Sequence, residues 1–143
     1  MMGFEFATTH RVLVEAGAAG RLPQLCAEKG ASRVLLVTDP GIRSTPLLDP
    51  VEESFARAGM PLFIYDEVSA DPADSIVRDA TDCARDNGAD LVIGFGGGSS
   101  MDVAKLVALV AHPDATQSLA DIYGVGLATG PRLPLFQVPT TAG

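Results

Sequence analysis

Histidine and cysteine are both scarce in this sequence, and their scarcity removes two kinds of chemistry. His10 and His112 are the only histidines, and neither has a second histidine or a cysteine at ligand spacing, which argues against a metal centre built within the chain. Cys26 and Cys83 fall on expected helix faces beside Leu25 and Ala84 rather than in a spaced framework, so they read as reduced core thiols. Basic residues are outnumbered: 10 Lys and Arg against 18 Asp and Glu leave a net charge of -8 and a pI near 4.5. A nucleic-acid backbone or an anionic membrane surface would be repelled. Long apolar runs are absent too. Met1 to Phe6 holds no basic segment leading into an apolar core, and no later stretch is long enough to span a bilayer, so the expected compartment is the cytoplasm.

What the chain does hold is a core and a glycine turn. With 143 residues, 47% hydrophobic and 20% charged, residues 1–143 are expected to form one globular domain. Its centre is Gly96-Gly97-Gly98-Ser99-Ser100, set between the apolar run Leu91 to Phe95 and the helix-forming run Met101 to Ala111. That order reads as strand, turn, helix. Glycines let a ligand's oxygens approach the peptide N–H groups, and the first turn of the following helix offers unpaired N–H groups and a positive dipole end. A phosphate is the natural guest. Ser99-Ser100-Met101-Asp102 also has the form of a capping box, which would account for the serine and Asp102 but not for three successive glycines. No Lys-Ser or Lys-Thr closes the loop, so it is not a Walker loop, and the first-turn Gly-x-Gly-x-x-Gly fingerprint is missing as well.

Taken in order, Phe4 to Val14 alternates apolar and polar residues and predicts one or two extended strands at a sheet edge. After the break at Gly17 to Gly20, Leu22, Leu25 and Cys26 recur at helical spacing, predicting a helix over about Leu22 to Lys29. Val34 to Val37 is a wholly apolar strand of the kind covered on both faces, followed by Thr38-Asp39-Pro40-Gly41. An acidic residue at such a strand end either makes an Asx turn or accepts hydrogen bonds from the paired hydroxyls of an adenine ribose. Asp49-Pro50 and Asp71-Pro72 mark two further helix starts, the first ending at Gly59 and the second at Gly88, with a strand at Leu62 to Tyr65 between them. Ser118 to Tyr123 reads as one helical turn, Gly124 to Pro134 as a loop, and Leu135 to Val138 as a last strand before Pro139-Thr140-Thr141-Ala142-Gly143. Strands alternating with helix-length segments predict an α/β fold with a doubly wound, mostly parallel sheet, Rossmann-like, and ligands at the carboxyl ends of its strands.

Three segments together resemble the iron-containing (group III) alcohol dehydrogenases: Leu36 to Gly41, Gly96 to Lys105 and Pro139 to Gly143 stand in that family's order and spacing. The resemblance covers essentially the whole chain but only the N-terminal, nucleotide-binding half of such enzymes. It implies that Gly96, Gly97, Gly98 and Ser99 hold the pyrophosphate of NAD, that Asp39 meets the adenosine ribose, and that Thr140 and Thr141 line the cofactor cleft, with Asp102 as a further site residue. It further implies hydride transfer between a small alcohol or aldehyde and the nicotinamide, and Fe2+ or another divalent metal held by a following helical domain that this chain lacks. No residue here is assigned as a general base. A homodimer paired through the N-terminal strand is also implied. One departure stands out: Ala70-Asp71-Pro72-Ala73 replaces the Pro-Asn-Pro-Thr common in the family, so its asparagine contact is not carried over. Two alternatives remain at this stage: a free-standing nucleotide-binding module without catalysis, and a relative of glycerol dehydrogenase or dehydroquinate synthase.

Overall fold

Four short apolar runs form one parallel sheet in the order β2-β1-β3-β4, comprising β1 (Val34–Val37), β2 (Leu62–Tyr65), β3 (Leu91–Gly96) and β4 (Leu135–Pro139). The computed structural model describes residues 17–119 and 130–140. The strand expected over Phe4 to Val14, with the dimer contact assigned to it, lies outside those residues, as do most of the Ser118 to Tyr123 turn, much of the Gly124 to Pro134 loop, and Thr141.

The helices are α1 (Leu22–Glu28), the single turn α2 (Pro40–Arg43), α3 (Asp49–Ala58), α4 (Asp74–Asp86) and α5 (Gly98–Val110), with short 3-10 turns at Ala18–Arg21 and Pro46–Leu48. Strand alternation sorts them into two layers. Leu35, Val37 and Val92 point to one face and pack with Val77, Ala80 and Ala84 of α4 and Val103, Ala104 and Val107 of α5. Val34, Leu36, Leu91 and Ile93 point to the other, against Leu22 and Cys26 of α1 and Val51 and Phe55 of α3. Both central strands are therefore buried on both sides, which is why they read as unbroken apolar runs. Each such Val, Leu or Ile contributes roughly 1.5–3 kcal/mol by leaving water. At the amino ends of β1 and β3 a polar clasp fixes their register: the Asp90 carboxylate accepts from the Ser32 N–H and Oγ and from the Arg33 N–H at 3.0–3.1 Å.

The starts of α3 and α4 differ from the sequence expectation. Asp49 is the first residue of α3 and not its cap, because the Pro46–Leu48 turn runs directly into the helix and leaves Leu48, already in helical conformation, at the cap. α4 begins three residues beyond Asp71: Ala73 is its extended N-cap and Asp74 supplies the acidic group of its first turn. Pro72 disfavours helical angles at the residue before it, which holds Asp71 in the preceding loop.

Of the two free cysteines, Cys26 is fully buried as expected, whereas Cys83 is only partly so. Burial, with a smaller contribution from Asp90, pushes the Cys26 thiol up from 9.0 to about 12. The folded state thus holds this proton more tightly than the unfolded chain does. Its stabilising contribution is complete below about pH 9 and is lost as pH rises toward 12. Tyr65, raised to about 12 by burial first and then by nearby carboxylates, acts in the same direction above about pH 10. Urea unfolding should therefore show a lower midpoint at about pH 10.5 than at about pH 8, and Cys26→Ala should flatten that decline. A midpoint independent of alkaline pH would contradict the buried-thiol account.

Candidate functional site

In the strand order β2-β1-β3-β4 the chain steps outward from β1 to β2, then crosses back over β1 to place β3 on its other side. The switch point lies between β1 and β3, and in open parallel sheets the crevice outside the carboxyl ends of such strands is where ligands bind. Asp39 follows β1 and the glycine turn follows β3, so the two segments singled out in the sequence flank that crevice.

The glycines of the turn are not equivalent. Gly96, buried at the end of β3, has φ +144°, an angle that side chains disfavour. A Cβ there would also crowd Ser100 Oγ at 3.2 Å and reach contact distance of Asp39 Oδ2 at 3.4 Å, which places the Asp39 carboxylate beside the turn. Gly97 is the extended N-cap of α5 (φ -88°, ψ -169°), and among the described residues no side chain caps the helix. Gly98, the first helical residue, is different again: a Cβ there would meet nothing within 4 Å. Internal packing therefore does not account for glycine at 98, while open space beside an uncapped helix end does suit a close ligand.

The capping box does not form. Because α5 starts at Gly98, Ser99 is already inside the helix, and its hydroxyl donates instead to the Ala70 carbonyl at 2.7 Å. The first intrahelical bond runs from the Met101 N–H to the Gly97 carbonyl, which leaves the N–H groups of the preceding turn directed at the crevice. Asp39 takes the Asx-turn role weighed for it and leaves its second oxygen over. Its Oδ1 accepts from the Ile42 N–H at 2.8 Å and caps α2, as an Asx turn would, while Oδ2 lies toward Gly96 and has no hydrogen bond among the described residues.

All four strand ends contribute. Ala70, in the loop after β2, touches the turn through Ser99. Thr140, just past β4, donates its N–H to the Gly96 carbonyl at 3.0 Å and so stands beside the glycine turn. Asp102 stands apart: it is exposed and lines a groove of about 340 Å3 with Pro72, Val77, Val103, Lys105 and Leu106. A larger hollow of about 570 Å3 lies between α4 and residues 115–119, near the carboxyl end of α5 and away from the crevice.

Sequence reading missed what seats α5. Gln137 of β4 donates Nε2 to the Met101 carbonyl at 2.9 Å, and its Oε1 is buried without a partner among the described residues. Room for it comes from Gly94 on the neighbouring strand, where a Cβ would collide with Gln137 Oε1 and come within 2.9 Å of Ala104 Cβ. A glycine interrupting one apolar strand opposite the sole polar residue of the next was the available signal.

The sequence model of the family described as iron-containing alcohol dehydrogenase matches residues 9–143. The chain belongs to this family. A sulfoacetaldehyde reductase of Bilophila wadsworthia is 30% identical over 142 residues, covering 99% of this chain and 36% of that protein. The NAD-dependent methanol dehydrogenase of Bacillus methanolicus is 32% identical over 131 residues, covering 92% of this chain and 34% of its own length. Among solved structures, the sulfoacetaldehyde reductase of Bifidobacterium kashiwanohense in complex with NAD+ superposes with a TM-score of 0.83 at 25% identity, over 100% of this chain and 37% of that one. The chain thus spans about a third of the length of the iron-containing alcohol dehydrogenases it matches, and the match is to their N-terminal part. Among the described residues no helix is long and apolar enough to cross a membrane.

Proposed function

We propose that this chain is the dinucleotide-binding domain of an NAD-dependent alcohol dehydrogenase, with the pyrophosphate at the glycine turn and the adenosine ribose at Asp39. The observation that carries this reading is the uncapped start of α5 at the sheet's switch point, with open space at Gly98 and a carboxylate oxygen of Asp39 beside Gly96. Unpaired N–H groups and the positive end of α5 suit the pyrophosphate charge, and Asp39 Oδ2 suits a neutral ribose diol. Thr140, and Thr141 beyond the described residues, are assigned to the same cleft, whereas Asp102 lines a separate groove and is given no cofactor contact.

Bound there, the dinucleotide supplies the hydride acceptor for an alcohol or the donor for an aldehyde. The residues of this chain bind and orient it. Gly96 to Ser99 anchor its phosphates, and the Ser99 bond to Ala70 keeps the post-β2 loop against the turn. Iron fits these residues poorly: among those described, no three His, Cys, Asp or Glu side chains stand together to hold a metal. A divalent metal, the alcohol or aldehyde substrate and a homodimer partner are assigned to parts of the protein beyond them.

Calorimetric titration of NAD into the full-length protein, with NADH formation followed on adding short alcohols, tests the reading. One site per chain and alcohol-dependent NADH are expected. No heat of binding at millimolar NAD would overturn it.

A further inference from the structure

Arg43 ends the single helical turn that Asp39 caps, and its N–H donates to the Asp39 carbonyl at 3.0 Å. It is the cation nearest to Asp39 in sequence, and the structure engages it elsewhere. Its Nη1 pairs with Oε1 of Glu52 on α3, and its Nε lies 3.6 Å from Oδ2 of Asp66, the residue that follows β2. Because β1 and β2 are neighbours in the sheet, Asp39 and Asp66 leave it side by side at the same end. Arg43 thus links Glu52 of α3 to Asp66, which leaves the sheet beside Asp39. The side chains of Arg43, Glu52 and Asp66 are 39–41% exposed, so a ligand's phosphate could reach them.

A guanidinium is well matched to a phosphate, and dinucleotide sites that accept a 2′-phosphate commonly use a nearby arginine. We propose that Glu52 and Asp66 are specificity-determining residues: by occupying and neutralising Arg43 they withhold the cation nearest Asp39 in sequence, a group suited to a 2′-phosphate. This rests on the cofactor reading above and extends it. Rejection of NADP then has two separable sources, the charge of Asp39 and the engagement of Arg43. Because the ion pairs are half-exposed, each is weak and replaceable, and Arg43 is available once they are removed.

The test uses the full-length protein and titrates NAD and NADP into wild type, into the Glu52→Gln/Asp66→Asn variant, and into that variant with Arg43→Ala added. The first variant should bind NADP about 3- to 10-fold more tightly than wild type, with NAD changed less than about twofold, and the gain should shrink at high salt. Adding Arg43→Ala should abolish the gain. NADP affinity that stays at the wild-type value while NAD binds normally overturns the proposal, and so does a gain that survives Arg43→Ala, because it would come from the loss of negative charge alone. Wild-type protein that binds neither dinucleotide overturns the cofactor reading itself, and this proposal with it.

Discussion

Asp39→Gly is expected to narrow the preference for NAD over NADP by about 10- to 100-fold, weakening NAD and admitting NADP. The half-buried Asp39 carboxylate presents Oδ2 beside Gly96, where it can accept hydrogen bonds from the ribose hydroxyls of NAD. A 2′-phosphate at that point would bring like charges to about 4 Å, a repulsion of order 4 kcal/mol at a surface-like dielectric, reduced to about half by salt and hydration. Glycine removes both the attraction and the repulsion. It also removes the Oδ1 cap on Ile42, but glycine is itself a tolerated N-cap, so α2 should lose only a few tenths of a kcal/mol. Asp39→Asn separates the effects, since it keeps an oxygen for Ile42 and discards the charge. Calorimetric titration of both cofactors into the three proteins is the measurement. A preference unmoved by either substitution would leave Asp39 as the cap of α2 and nothing more.

The second large effect should appear as a contrast between two glycines of one turn. Gly96→Ala places a side chain at φ +144° and against Asp39 and Ser100, so a loss of about 1–3 kcal/mol of stability is expected, together with poor cofactor binding. Gly98→Ala meets no atom within 4 Å and replaces a weak helix former with the strongest. Its stability should be unchanged or higher by up to about 1 kcal/mol. NAD affinity should nonetheless fall at least about 10-fold, because the added methyl takes space assigned to the pyrophosphate and holds it off the N–H groups of α5. Urea unfolding and NAD titration of both variants decide the matter. Equal NAD affinity for wild type and Gly98→Ala would remove the turn from the cofactor site.

The sheet was legible because its strands are short, apolar and bounded by turn residues, and because two-sided burial leaves the central strands no alternation to misread: Val34 to Val37, and the edge strand Leu62 to Tyr65, begin and end where expected. Helix starts were less so. Asp-Pro signals a turn as readily as a cap, and nothing local at Asp49 or Asp71 shows that a 3-10 turn precedes one helix and a bound loop the other. The single turn α2 carries too few residues for periodicity to register. At the site, the glycine turn and Asp39 were visible as residue types at strand ends. Invisible were their juxtaposition across β1 and β3 and the engagement of Ser99 by a carbonyl 29 residues away, while the seating of α5 on Gln137 through the gap at Gly94 left only the faint mark of a glycine in one apolar strand and a glutamine in another. Those are contacts between distant segments, and a sequence pattern reports only near neighbours.

A crystal structure of the full-length protein with NAD tests the central claim most directly. The pyrophosphate oxygens should lie within hydrogen-bond distance of the N–H groups of Gly98 and Ser99, with a ribose hydroxyl on Asp39 Oδ2 and the helix start and the Ser99 to Ala70 bond as they stand here. A dinucleotide seated elsewhere, whether in the groove beside Asp102 or in the hollow between α4 and residues 115–119, would contradict the account.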